Sequence, residues 1–274
     1  MGLFLGDRTS GNGWIYHGDS NCYDTSPANA SDIYLFGTTQ GPSCPNVSVN
    51  PTLTALVVVD MQNFFLHPRC NDFAEGLTAA ERILEVVAKC RELGIQIIWL
   101  NWGLTESDLS SMPPAVHRGF SGQLIDSERT GEVPNKQGQS RCGLGSNMGS
   151  GRGRLLMANS WNAELYESLL DASDKNKDIF CDKNRMSGMW SDDAKLCDTV
   201  KPFTTLLFAG VNSDQCVLGT LVDAYNRGYT CVMLEDCCAT KTPGGQEVTT
   251  WNVAKAYGFV TDSKNFCDGG ELRR

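Results

Sequence analysis

The sequence predicts a doubly wound α/β domain, a mostly parallel six-stranded sheet flanked by helices in a Rossmann-like three-layer arrangement. Three observations carry this. Ala55-Leu56-Val57-Val58-Val59 is an unbroken apolar run that stops at Asp60, the pattern of a strand buried on both faces. Residues 78–93 place Ile83, Leu84, Val86, Val87 and Leu93 at helical spacing, and Ile95-Gln96-Ile97-Ile98-Trp99-Leu100 reads as a second buried strand. Strand, helix and strand in this order make a βαβ unit, and the alternation resumes after residue 160.

The elements follow in order. Residues 1–50 are rich in Gly, Ser, Asn, Pro and Asp but also hold Trp14, Tyr16, Tyr34 and Phe36, so an irregular extension packed on the core is expected. Residues 51–274 then form a single domain. Gly94 ends the first helix. From 101 to 159 regular patterning lapses, with Pro113-Pro114, Gly122, Gly131, Pro134 and a Gly-Ser-Arg stretch at 143–154. A loop-rich insertion of this length is usually functional, so a lid or an exchanged arm is expected, with little core of its own. A short helix is predicted over 161–170, strands over 178–183, 204–209 and 230–234, helices over 214–227 and 246–257, and a last strand from 259.

Composition narrows the partners. The chain has 274 residues, a net charge of −9 and 12 cysteines. The acidic balance argues against nucleic acid and anionic membrane, since phosphate neutralisation needs clustered Lys and Arg, and Arg152 with Arg154 is the densest basic stretch. No apolar run approaches a membrane span and the first residues lack the long apolar stretch of a secretory leader. A reduced, cytoplasmic setting is therefore expected, with cysteine as core residue or catalyst. No CxxC pair occurs, which speaks against a zinc ribbon or thioredoxin-type site.

In doubly wound sheets, ligands bind beyond the carboxyl ends of the strands. Asp60, Lys183 and Cys216 all fall there. Cys216 lies where a strand and a polar turn give way to a helix, near unpaired N–H groups that lower a thiol pKa and can bind an oxyanion.

Four segments carry a family resemblance. They are Ala55-Leu56-Val57-Val58-Val59-Asp60-Met61-Gln62-Asn63, Ser160-Trp161-Asn162-Ala163-Glu164-Leu165, Lys183-Asn184-Arg185-Met186-Ser187-Gly188, and the run from Gly210 to Val217. In this order, from about 54 to 260, the chain resembles the isochorismatase-like superfamily of cysteine hydrolases. The resemblance implies an Asp60–Lys183–Cys216 triad. Asp60 would accept the thiol proton, Lys183 would supply opposite charge, and Cys216 would attack a carbonyl to form an acyl-enzyme. It also implies a cis Val211–Asn212 peptide and an oxyanion hole made by the backbone N–H groups of Asn212 and Cys216.

The third segment looks most like that of the ureidoacrylate, biuret and N-carbamoylsarcosine amidohydrolases. The expected reaction is therefore hydrolysis of a C–N bond in a small amide or ureide, with no cofactor. A vinyl ether hydrolase of the isochorismatase type, and a catalytically silent binding member, stay open as alternatives. Asn212 and Asn159-Ser160 depart from the relatives' small residue and Gly-Thr. The nicotinamidase branch holds a metal through Asp and His just after its second strand, whereas Asn101 to Asp108 here contains no His, and His17, His67 and His117 are scattered. No metal is expected. Phe65, Trp161, Ser187 and Gln215 are the candidate substrate-pocket residues, with Trp102, Trp190 and Tyr16 behind them. The resemblance further implies a homo-oligomer, a dimer or tetramer.

Overall fold

The computed structural model describes residues 2–6, 13–26, 32–121 and 143–273. The middle of the insertion, with Gly122, Gly131, Pro134 and Cys142, lies outside the described residues.

The first 50 residues depart most from expectation. Where described, they supply regular strands: β1 (Leu3–Gly6), β2 (Gly13–His17), β3 (Cys22–Asp24), β4 (Asp32–Gly37) and β5 (Asn46–Val49). With β12 (Gly270–Arg273) these form a second six-stranded sheet, in the order β1-β2-β3-β5-β4-β12. Two physical reasons hid it. The strands are too short to display a period of two, and β4 finds its outer partner, β12, at the far end of the chain.

This sheet does pack on the rest of the molecule. The Trp14 indole N–H donates to Thr230 Oγ1 at 3.0 Å, and its ring lies 5.2 Å from that of Phe259. Tyr34 sets its ring edge-on to Phe266 and donates its hydroxyl to the Phe266 carbonyl.

The main sheet consists of β6 (Thr54–Val59), β7 (Gln96–Trp102), β8 (Ile179–Lys183), β9 (Thr205–Val211), β10 (Thr230–Ala239) and β11 (Phe259–Thr261). It is parallel throughout, in the order β11-β10-β9-β6-β7-β8. Every residue of β6 and β9 is buried, as two-sided covering requires. The helix Ala74–Leu93 starts one turn before its predicted position and buries Ala79, Ile83, Val86, Val87 and Cys90 along one face. It stops at Gly94, whose φ of +73° suits a residue without Cβ. The edge strand β11 is covered by the second sheet's connection, where Thr39 N–H donates to the Val260 carbonyl at 2.9 Å.

Two further expectations change. The predicted helix over 161–170 is a short turn, Trp161–Ala163, followed by the helix Glu167–Ala172. The insertion is less bare than its composition suggests. It holds the helices Glu106–Ser111 and Pro114–Gly119, and buries Leu109, Leu144, Leu155 and Leu156. Leu104 and Leu156, and Ala158 and Leu104, join by backbone hydrogen bonds of 2.9 Å, which ties the returning segment to the carboxyl end of β7. The spaced leucines carry this packing, and the intervening glycines mask them.

The chain runs β6, β7, β8 outward on one side and β9, β10, β11 outward on the other. The direction of winding therefore switches between β6 and β9, which are adjacent. A crevice opens at the carboxyl ends of such a pair, and that is where the site must be sought. The close approach of the two strands depends on Gly210, where an added Cβ would stand 2.0 Å from the Val59 carbonyl oxygen.

Candidate active site

Asp60 follows β6 directly. It turns the chain with a φ of +54°, a left-handed conformation that Asp tolerates better than most residues, and its N–H donates to the Leu100 carbonyl at 2.8 Å. Its side chain is fully buried. Lys183, the last residue of β8, reaches across to place Nζ 2.9 Å from Asp60 Oδ2. Lys183 Nζ also donates to the Arg185 carbonyl at 3.1 Å and sits 4.0 Å from the centroid of the Trp102 ring. Among the described residues neither Asp60 oxygen has a well-aligned hydrogen bond, so the carboxylate rests on charge attraction and keeps acceptor capacity.

Cys216 belongs to a wide helical turn, Ser213–Val217, that leads into the helix Leu218–Asn226. The Val211–Asn212 peptide before it is cis, as the resemblance implied. Thr220 joins the nucleophile's helix to the Lys183 loop. Its hydroxyl donates to the Cys216 carbonyl at 2.7 Å and accepts the Gly188 N–H at 3.1 Å. The structure thus brings Asp60, Lys183 and Cys216 together from three separate strand ends.

The electrostatics correct one expectation. The helix start does not give Cys216 a low pKa. Burial pushes the thiol up to about 12, and the neighbouring Asp60 adds to the rise, while Lys183 and the Trp102 indole pull the other way. Asp60 is likewise raised above the ordinary carboxylate value by burial, against the lowering pull of Lys183. The physical reading is simple. One buried ammonium supports one negative charge, so the carboxyl and the thiol hold a single proton between them. Forming two anions is what costs.

The other expected residues scatter. Phe65 is buried in the helix Asn63–Leu66, edge-on to Phe64 at 4.9 Å. Ser187 is buried and its hydroxyl accepts the Met189 N–H at 3.0 Å. Gln215, beside the nucleophile, is exposed. Trp161 is half-buried, with the Arg69 guanidinium 4.6 Å from its ring centroid and His67 edge-on at 4.9 Å. Trp190 is half-exposed and donates its indole N–H to Asn184 at 3.0 Å. It lines a cleft of about 430 Å³ with Asp108, Asp182 and Lys195. Tyr16 lies in β2, against Tyr23 and Asn21. Its sheet meets the amino-terminal starts of β10 and β11 through Trp14, the end opposite the triad.

Gln62 was missed. It is fully buried, and its amide brackets the Trp102 backbone, accepting its N–H at 3.0 Å and donating to its carbonyl at 2.7 Å. It also donates to the Ala163 carbonyl at 2.7 Å. The available signal was a polar amide directly after a buried strand, a place where an unsatisfied side chain is costly.

The isochorismatase domain model matches residues 54–265. The chain belongs to the isochorismatase family. Among curated relatives of that family, the ureidoacrylate amidohydrolase RutB of Cronobacter sakazakii is 27% identical over 225 residues, covering 80% of this chain and 88% of RutB. Among solved structures, a cysteine hydrolase from Pseudomonas syringae superposes with a TM-score of 0.59 at 19% identity, covering 80% and 92% of the two chains. The N-carbamoylsarcosine amidase of Thermoplasma acidophilum gives 0.51 at 20%, covering 77% and 96%. These superpositions establish the isochorismatase-like α/β fold. The family match begins at β6 and so leaves β1 to β5 outside it.

Among the described residues, no three His, Cys, Asp or Glu side chains converge as metal ligands. Among them, too, no helix is long and apolar enough to cross a membrane.

Proposed function

We propose that this protein is a metal-independent cysteine amidohydrolase that cleaves a C–N bond in a small amide or ureide. The observation that carries the reading is the buried group of Cys216, Asp60 and Lys183, with its 2.9 Å ion pair, at the switch point of the sheet. The relatives named for ureidoacrylate and N-carbamoylsarcosine supply the substrate class.

The chemistry follows from the shared proton. The Cys216 thiol passes its proton to Asp60, and the new thiolate is balanced by Lys183 with no change in net charge. Sγ attacks the carbonyl carbon, and the oxyanion is held by the N–H groups of Asn212 and Cys216. The intermediate collapses, the C–N bond breaks, and Asp60 returns the proton to the departing nitrogen. Water then attacks the thioester as Asp60 takes its proton. Sγ leaves and recovers that proton, and the acid is released.

A panel of small amides and ureides read out by ammonia release tests the proposal, and no turnover on any member would overturn it. The pH profile adds a sharper criterion. Activity needs one proton on the Asp60–Cys216 pair, so kcat/KM should fall in acid with a midpoint above the ordinary carboxylate value of about 3.9. It should stay flat to about pH 10, since loss of the second proton is pushed toward about 12. An alkaline fall centred near the ordinary thiol value of about 8.5 would contradict a shared proton.

The site would work on a soluble metabolite in a reducing, cytoplasmic setting, where the eleven described cysteines stay unbridged as they are here. The protein is expected to act as a dimer or tetramer. Light scattering at micromolar concentration should give a multiple of 29.9 kDa, and the monomer mass alone would refute it.

A further inference from the structure

We propose that Trp102 is a catalytic residue, its indole N–H acting as a hydrogen-bond donor to the Cys216 sulfur when the thiolate forms. This rests on the amidohydrolase reading of the site.

Three observations support it. First, Trp102 is 1% exposed and its Nε1 is buried with no well-aligned hydrogen bond to any of the described residues. Three other indoles donate normally: Trp14 to Thr230, Trp99 to Asp178 and Trp190 to Asn184. A buried donor left without an acceptor is costly, so an orphan needs an explanation. Second, the ring is fixed from several sides. Gln62 brackets its backbone, Phe120 stands edge-on at 4.9 Å, and the Lys183 ammonium lies 4.0 Å from its centroid. Third, the ring stands in the site itself: the Lys183 ammonium it touches is the one paired with Asp60 at 2.9 Å, and the indole is one of the neighbours that favour the ionised form of Cys216.

A neutral thiol is a poor acceptor, whereas a thiolate is a strong one. The donor is therefore idle at rest and engaged once Asp60 has taken the proton. An interaction made only as charge develops on sulfur lowers the barrier without stabilising the resting state. The same ring screens Lys183 from water through its π face, so one side chain meets both members of the ion pair that develops between sulfur and ammonium.

Trp102→Phe separates the two contributions, because it keeps an aromatic face over Lys183 and removes only the donor. The alkylation rate of Cys216 by iodoacetamide, followed by peptide mass from pH 6 to 10, reads the thiolate population directly. The expected result is a plateau about tenfold lower in Trp102→Phe, with kcat/KM falling in parallel and Tm within a few degrees. A tenfold loss corresponds to about 1.4 kcal/mol of thiolate stabilisation. An unchanged plateau would reduce Trp102 to packing and overturn the proposal, while leaving the amidohydrolase reading intact. A wild-type Cys216 as slow to label as the buried Cys181 would overturn both. Should Trp102→Phe fail to fold, the indole N–H resonances decide. One of the six tryptophans should shift between wild type and Cys216→Ala, and six unmoved resonances would reject the contact.

Discussion

Cys216→Ala is expected to lower amide or ureide hydrolysis by at least about 10⁴-fold while leaving the protein folded. The size follows from the route. Without Sγ there is no acyl-enzyme, and water would have to attack an unactivated carbonyl, so neither Asp60 nor the oxyanion hole can recover the loss. Folding should be spared because the change removes one buried sulfur and leaves the 2.9 Å pair of Asp60 and Lys183 in place. Ammonia release and a thermal melt on the same sample measure both. Cys216→Ser should be nearly as inactive, since a hydroxyl is far harder to ionise than a thiol and Asp60 is too weak a base to strip it. Retained turnover of a chorismate-type vinyl ether by Cys216→Ala would identify the other chemistry and end the amidohydrolase reading.

How much of this was legible depends on the distance over which each feature is encoded. Val57 to Val59 announce a two-sided buried strand within a few residues, and all six strands of the main sheet begin within about one residue of the expected starts, although β10 runs on to Ala239, past its expected end at Leu234. Asp60, Lys183 and Cys216 could be suspected because each follows such a run, and the fold alone brings strand ends together. The second sheet is encoded otherwise. β4 depends on β12 and on the ring of Phe266, neither of which leaves a local trace. The thiol's ionisation was misread for the same reason. A helix start is visible in the sequence, but the burial that overrides it comes from the surrounding elements. Trp102 and Gln62 show the intermediate case. Their types are polar-tipped and their positions suggestive, yet their roles appear only when β6 and β7 lie side by side.

Lys183→Met is expected to destabilise the protein by about 3–5 kcal/mol at pH 8 and much less at pH 5. The partner left behind is a fully buried carboxylate that, among the described residues, has no well-aligned hydrogen bond and is ion-paired with Lys183 only. Burial already raises the Asp60 pKa, and removing the ammonium raises it further. A carboxyl whose folded pKa exceeds its unfolded value of about 3.9 favours the folded state below that value, and the benefit is lost as pH rises through the folded pKa. Stability of the variant should therefore fall from mild acid to neutrality, as urea unfolding at the two pH values can establish. A flat or opposite slope would mean that Asp60 is not held ionised by Lys183. The double variant Asp60→Asn/Lys183→Met removes both charges, and it should be inactive yet as stable as wild type or about 1–4 kcal/mol more so. That outcome would show the pair to be maintained for chemistry at a cost to folding. Lys183 neutralises a charge that the fold itself does not need, and the site works because that charge can move from carboxylate to sulfur without leaving the ammonium's reach.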